Sequence, residues 1–406
     1  MCPKQLGIIA DDLTGAMDSS GIYPQLGLNT VLVISSNAPA DCDVAVINTD
    51  SRSDLPEVAA AKVCAASEKL RGRFIFKKVD STLRGNVNAE ILAISQQIGS
   101  SKIIIAPAFP SLGRTTVNGF LLVDGVNVSE SEFGQMQIDP VTESHIPSML
   151  ARDPSPIHVG SINTNYLESS TSVLFNTIHN STEDILVFDT TSQDHLQAIC
   201  KAASLSKGQW LLCGSGGLAR ESHHLLPNKL SRKEIAPTFS SDNLLIIVGS
   251  NNTRSREQLK MVRNAMNVNT ISLETETLYK NGDCLKEIDR LLCAARKLTK
   301  GPIIVSSTFS QYIPDVHETI SRVLAIFTRK FLQQRKLDGL FIGGGDTATA
   351  ICDELSVAAI KLRGEIDIGI PFGKIVSGPA HGLTIITKAG GFGNDDAILK
   401  VLQSST

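Results

Sequence analysis

The sequence predicts an α/β protein of two domains, each a mainly parallel sheet flanked by helices, with an active-site cleft between them. Three observations lead there. Short apolar runs alternate with helix-length segments from the first residues onward, the pattern of crossover units in a parallel sheet. The chain has 406 residues, beyond the ~250–300 at which one hydrophobic core stops growing. Glycine-rich turns close several apolar runs, above all Gly343-Gly344-Gly345 after Gly339–Ile342 and Gly390-Gly391-Phe392-Gly393 after Leu383–Thr387.

Strands are expected at Leu6–Ala10, Thr30–Ile34, Val44–Asn48, Phe74–Val79 and Lys102–Pro107, with helices at Glu57–Leu70 and Val87–Gln97 between them. From about Gly119 to Pro156 the alternation breaks. Phe120–Val126 reads as a hairpin around Asp124-Gly125, followed by an acidic irregular loop inserted over the sheet edge. Strands resume at Asp184–Phe188 and Gln209–Cys213. A polar, proline-bearing stretch then separates a first domain, 1–228, from a second, 243–406, with 229–242 as the linker. The second half opens with Leu244–Ser250 and continues through strands near Gly301–Ser306 and Leu340–Gly343. There is no solenoid-period repeat.

Composition narrows the function. With 38 basic and 41 acidic side chains the formal charge is −3, and one Trp and four Tyr offer little for stacking bases, so neither nucleic acid nor membrane is an expected partner. No apolar run nears the ~20 residues that span a bilayer, and the N-terminus leads directly into a core strand. Eight scattered cysteines without a C-x-x-C pair read as reduced thiols, and the expected location is the cytoplasm.

Several strand ends carry dense polar chemistry. Asp11 and Asp12 follow the first strand; one can cap the next helix, but a cap needs no second carboxylate beside it. Lys77-Lys78-Val79-Asp80-Ser81-Thr82-Leu83-Arg84-Gly85 mixes cations, a carboxylate and hydroxyls, which suits a small polyhydroxylated anion. The plainer alternative is a solvated turn. Arg52, in Asp50-Ser51-Arg52-Ser53, repeats that composition at another strand end, so Arg52 and Arg84 are the expected carboxylate-binding residues, with Asp11, Asp12, Lys78, Asp80, Ser81 and Thr82 around them. Arg114 belongs either to this group or to a surface ion pair.

Gly343, Gly344 and Gly345, with Asp346 and Thr347 starting a helix, form an expected phosphate cradle. The turn Gly390, Gly391, Phe392 and Gly393 is a second, and Ser250 marks a third strand end in the same domain. Gly214-Ser215-Gly216-Gly217-Leu218-Ala219 fits G-x-G-x-x-A but has no second parallel strand with an acidic residue after it, which favours close helix packing over a cofactor. No P-loop and no G-x-S-x-G elbow occur. No metal site is expected: the histidines lack ligand spacing, and adjacent His223 and His224 should point to different helix faces.

With Ala10-Asp11-Asp12-Leu13-Thr14-Gly15-Ala16, Lys78–Gly85, Gly113-Arg114-Thr115 and Gly343–Thr347 in the same order, the chain resembles the four-carbon acid sugar kinase family nearly end to end. The resemblance implies an N-terminal domain for the sugar acid, a C-terminal domain for ATP with Mg²⁺, and phosphorylation of the terminal hydroxyl of threonate, erythronate or 3-oxo-tetronate. The insertion Asp139–Leu150 resembles the threonate and erythronate branch, so D-threonate is the expected substrate. It also implies Asp12, Arg52, Lys78, Asp80, Ser81 and Thr82 at the substrate, and Ser250, Gly344–Thr347 and the Gly390 turn at the nucleotide.

Domain closure would bring the substrates into line, and Asp12 or Asp346 would accept the hydroxyl proton. The rival readings are an NAD(P)-dependent oxidoreductase, resting on the Gly214 pattern, and a non-catalytic sugar-acid sensor. A homodimer is compatible with the sequence, which does not fix the oligomeric state.

Overall fold

The computed structural model describes residues 5–35, 41–136, 140–152, 157–227, 230, 235–281, 283–308, 310, 313 and 316–404. Asp139 of the insertion, and 229 with 231–234 of the expected linker, lie outside them. The chain forms two compact units.

After β1 (Leu6–Ala10) comes β2 (Thr30–Val33), which is divided between the two units after Val31, and the first unit continues with β3 (Val44–Asn48), β4 (Phe74–Lys78) and β5 (Lys102–Ala106). A three-stranded antiparallel meander of β6 (Arg114–Val117), β7 (Phe120–Val123) and β8 (Val126–Asn127) comes next, then β9 (Val159–Ile162), β10 (Ile185–Phe188) and β11 (Trp210–Gly214). The β7–β8 turn matches the expected hairpin: Asp124 and Gly125 both take left-handed backbone, φ 49° and 83°, as a tight two-residue turn requires. The main sheet runs β3-β1-β4-β11-β5-β10-β9, all parallel. Apart from the edge strand β9, its strands are buried along nearly their whole length, so they read as largely apolar runs. Strand order reverses between β1 and β4, because the chain goes to one side of β1 for β3 and to the other for β4. At such a reversal the connections diverge and leave a crevice at the carboxyl ends of the strands.

The second unit contains β12 (Leu244–Val248), β13 (Asn269–Ser272), β14 (Ile303–Ser306), β15 (Gly339–Gly343), β16 (Ala359–Asp367), β17 (Ile370–Ile375) and β18 (Thr384–Lys388). Their order is β13-β14-β12-β15-β18-β17-β16, parallel from β13 to β18. The antiparallel pair β16–β17 at one side had no counterpart among the expected strands. Order reverses again, here between β12 and β15. Leu259 and Val262 of the helix Thr253–Ala265 pack with Phe341, Ile386 and Val401 in its core. Two pieces from far upstream, Pro24–Gly27 and Leu32–Ser36, cluster with this unit: the Ile34 amide donates to Ala358 O at 2.9 Å and Gln25 Nε2 to Glu365 O at 3.0 Å.

Among the described residues no helix is long and apolar enough to cross a membrane.

Candidate active site

In the first unit the sequence-selected residues gather at the β1/β4 reversal. Asp11 and Asp12 follow β1, Arg52 follows β3, and Asp80–Arg84 follow β4. Arg52 donates from Nε to Asp11 Oδ2 at 2.7 Å, and from Nη2 to Asp11 Oδ1 at 3.1 Å and Asp12 Oδ1 at 2.6 Å. Arg84 forks onto Asp80 at 2.8 and 3.0 Å. Burial alone would raise the Asp11 and Asp80 carboxyls. At Asp11 the charges of Arg52, Lys77 and Lys78 together with the Arg52 hydrogen bond outweigh it, and at Asp80 the Arg84 and Arg52 charges with the Arg84 and Thr82 hydrogen bonds do so, holding Asp11 below and Asp80 well below the usual range.

Asp12 is the helix cap of the pair: its Oδ1 accepts from Gly15 N at 3.2 Å and its Oδ2 from Thr14 Oγ1 at 2.6 Å, so it serves the backbone and Arg52 together. The turn after β4 is held by Asp80, which accepts from the Thr82 amide and hydroxyl. It places buried Leu83 at φ 59°, a conformation costly for a side chain with a Cβ. Ser81 is buried in the same turn.

Arg52 and Arg84, expected as open grips for a ligand carboxylate, are thus already engaged by protein carboxylates. Two donors of the cluster have no hydrogen-bond partner among the described residues: Nη1 of Arg52 and Nζ of Lys78. Lys78 is buried, and its Nζ lies 2.7 Å from where a Cβ on Gly15 would sit. Gly15 therefore makes room for that ammonium over the start of the helix.

Sequence reasoning missed the supports beneath this cluster. Lys77 is ion-paired with Glu90 at 2.8 Å, Glu90 also accepts from Ser51 Oγ, and Asn86 Nδ2 holds the Arg52 loop through Ser51 O at 3.0 Å and Asp54 O at 2.8 Å. A lysine inside the buried strand FIFKK was the available signal, since a buried ammonium needs a partner. Phe133, from the insertion, lies under both Arg84 and Arg114, with 5.5 and 5.7 Å to its ring centroid. Arg114 is itself buried, which corrects the surface ion pair considered for it.

In the second unit the three selected strand ends meet. β12, β15 and β18 are neighbours, and a Cβ on Gly390 would lie 2.3 Å from Ser250 Oγ, while one on Gly344 would lie 3.3 Å from Ser250 Cβ. Gly344 takes φ 119°, open only to glycine. Behind it Gly345, Asp346 and Thr347 form the first turn of the helix Gly345–Glu354, whose N–H groups have no partner within the helix. Thr347 is buried against Gly249, whereas the Asp346 side chain is 74% exposed and 3.4 Å from His317 Nε2.

The Gly390 turn is anchored by its carbonyls. Lys388 Nζ donates to Ala389 O, Gly390 O and Phe392 O at 2.9, 3.0 and 3.2 Å. Ser255 Oγ reaches Gly390 O at 2.9 Å, Gln258 Nε2 reaches Phe392 O and Asn394 O at 3.0 and 2.8 Å, and Arg254 Nη1 reaches Gly393 O at 3.2 Å. These groups draw toward protein the carbonyl oxygens that would repel an anion. Burial and the nearby Arg254 charge push the Lys388 ammonium down to about 7. A lysine ending the apolar strand TIITK was again the missed signal.

The Gly214 pattern is consumed by packing: added Cβ atoms would lie 2.6 Å from Ala106 O at Gly214 and 2.4 Å from Ala108 O at Gly217. One expectation is corrected outright. His223 and His224 lie in a 3₁₀ turn, Ser222–Leu225, with ring centroids 4.1 Å apart, so the rings face each other.

Residues 6–222 match the family model of a sugar-binding N-terminal domain and residues 245–398 that of a nucleotide-binding C-terminal domain. The chain is 28% identical to the D-threonate kinase of Salmonella typhimurium, covering 97% of this chain and 97% of that protein. It is likewise 28% identical to the D-erythronate kinase of Heliobacterium modesticaldum, covering 96% and 94%. A crystal structure from Salmonella typhimurium matches 98% of both chains with a TM-score of 0.80 at 21% identity, a likeness of fold.

Proposed function

The chain belongs to the four-carbon acid sugar kinase family, and from that membership we propose that it transfers the γ-phosphoryl group of ATP to the terminal hydroxyl of a four-carbon sugar acid, D-threonate first among the candidates. The observation that carries the nucleotide half is the meeting of Gly344, Gly390 and Ser250 at three neighbouring strand ends, beside the first-turn amides of the helix Gly345–Glu354, which have no partner within the helix, and with the Gly390 carbonyl tied back. Such a cradle suits a polyphosphate. A Cβ at Gly344 or Gly390 would intrude on it. Mg²⁺, a hard cation favouring oxygen donors, would supply charge neutralisation at the phosphates, with the exposed Asp346 carboxylate as the protein group to hold it.

At the β1/β4 reversal, Lys78 Nζ and Arg52 Nη1 are the donors left for the substrate carboxylate. Asp80, Ser81 and Thr82 supply polar contacts for its hydroxyls. The terminal hydroxyl oxygen bonds to the γ-phosphorus, the bond to the bridging oxygen of ADP breaks, and the hydroxyl proton passes to a carboxylate. Asp12 fits that last role better than Asp346, because three donors fix its position while Asp346 projects into solvent. Asn caps a helix about as well as Asp, so Asp12→Asn separates chemistry from folding.

The deciding experiment measures ADP formation from ATP and Mg²⁺ with purified protein against D- and L-threonate, D-erythronate and 3-oxo-tetronates. Turnover with one of these acids is the expected result, falling about 10²-fold or more in Asp12→Asn with the fold intact. No ADP from any of them would overturn the proposal, and binding of a tetronate without turnover would favour the sensor.

A further inference from the structure

We propose that Glu221, His223 and His224 form a binding site for a divalent transition metal of the imidazole-favouring class, such as Zn²⁺ or Co²⁺. One ligating atom from each residue lies within 4.8 Å of the other two. The chain makes this cluster by tightening: the helix Gly216–Glu221 runs into the 3₁₀ turn Ser222–Leu225, and at three residues per turn adjacent side chains diverge differently than on an α-helix. Ser222, between the ligands, is buried and bonded to Tyr23 Oη at 2.6 Å. Ser222 thus points inward, while Glu221, His223 and His224 on either side of it are only partly buried.

The spacing suits a metal. Ligand atoms ~2.0–2.2 Å from a tetrahedral Zn²⁺ stand about 3.4 Å from one another, and His224 Nε2 lies 3.4 Å from Glu221 Oε2. His224 Nε2 is buried and makes no hydrogen bond.

The surroundings orient the donors as outer partners of metal ligands do. Nδ1–H of His223 donates to Arg220 O at 2.8 Å, which leaves its Nε2 lone pair outward. Gln193 Nε2 donates to Glu221 Oε1 at 2.8 Å, and Gln197 Nε2 approaches Oε2 at 3.5 Å. Two imidazoles and one carboxylate leave a fourth position for water or a further ligand. The opposing influence is Lys201, whose Nζ bonds Gln197 Oε1 at 2.6 Å and whose charge weakens cation binding. Because Gln193 and Gln197 lie on the helix Gln193–Ser204, a bound metal would clip that helix to the 3₁₀ turn.

The test uses the full chain stripped with chelator and titrated with Co²⁺, read by its d–d absorption, then with Zn²⁺ as competitor. One saturating equivalent is expected, displaced by Zn²⁺ and accompanied by a rise in the thermal midpoint. Affinity should fall at least tenfold in each of Glu221→Gln, His223→Ala and His224→Ala, and stay unchanged in the control His158→Ala, which lies elsewhere on the surface. Circular dichroism checks each fold; should His224→Ala unfold, the affinity of Glu221→Gln, which keeps the side-chain length, decides. Absence of saturable Co²⁺ binding by the parent chain, or equal binding by folded Glu221→Gln and His223→Ala, overturns the site. Neither readout involves phosphoryl transfer, so the outcome is independent of the kinase assay.

Discussion

Lys77 and Glu90 meet at 2.8 Å with their side chains 0% and 2% exposed, an ion pair sealed beneath the carboxyl end of β4. Removing one partner strands the other charge without water, which costs about 3–5 kcal/mol. Lys77→Met and Glu90→Gln should each lower unfolding stability by that order in urea titrations, and Lys77→Met with Glu90→Leu should recover much of it. Single losses under about 1 kcal/mol would mean that the pair is hydrated.

Lys78 is the neighbouring lysine with the opposite role. It has no hydrogen bond to lose among the described residues, so Lys78→Met should shift stability by no more than about 1 kcal/mol. Its effect belongs in steady-state kinetics: kcat/KM for the sugar acid should drop about 10²-fold or more, the scale of losing a charge-assisted contact. An unchanged kcat/KM would remove Lys78 from the substrate site.

Gly344 at φ 119° leaves no relaxed conformation for a Cβ. Gly344→Ala should cost about 1–2 kcal/mol of stability and, by calorimetric titration, weaken ATP binding more than tenfold while sparing the sugar acid. Stability loss with intact ATP affinity would show that this turn is structural only.

Lys388 makes stability depend on pH with a definite sign. The unfolded chain keeps this proton to about 10.4, the folded one only to about 7. Between those values the unfolded state binds the extra proton, so stability rises with pH across the window and its gain is lost as pH falls through 7. The difference in unfolding free energy between wild type and Lys388→Met should therefore grow in favour of wild type from pH 7 to pH 10, by on the order of a few kcal/mol. A flat difference would show that the carbonyls around Nζ keep it protonated.

Apart from β9 (VGSI) and β13 (NTIS), which carry too few apolar residues to stand out and were not expected, the parallel strands were legible because each is a largely apolar run, as a parallel sheet covered on both faces demands. β16–β17 was not, because Gly364 and Gly373 dilute its apolar signal and its register slips between Leu362 and Gly364. The residues at both order reversals could be selected as strand-end chemistry. What could not be read was who pairs with whom: that Arg52 clasps Asp11 and Asp12, or that Lys388 holds carbonyls, depends on contacts between elements distant in sequence. The His223–His224 expectation failed for a local reason, since it assumed 3.6 residues per turn where the backbone has tightened to three.

The membership of Pro24–Gly27 and Leu32–Ser36 in the second unit bears on how the molecule is made. A ribosome releases Ile34 long before Ala358 exists to receive its amide, so that hydrogen bond can form only after most of the protein has been synthesised. Cutting the gene between the two units would part these pieces from the unit they cluster with. The C-terminal fragment would be born without the piece that completes it, and adding the N-terminal fragment in trans is the natural way to give it back.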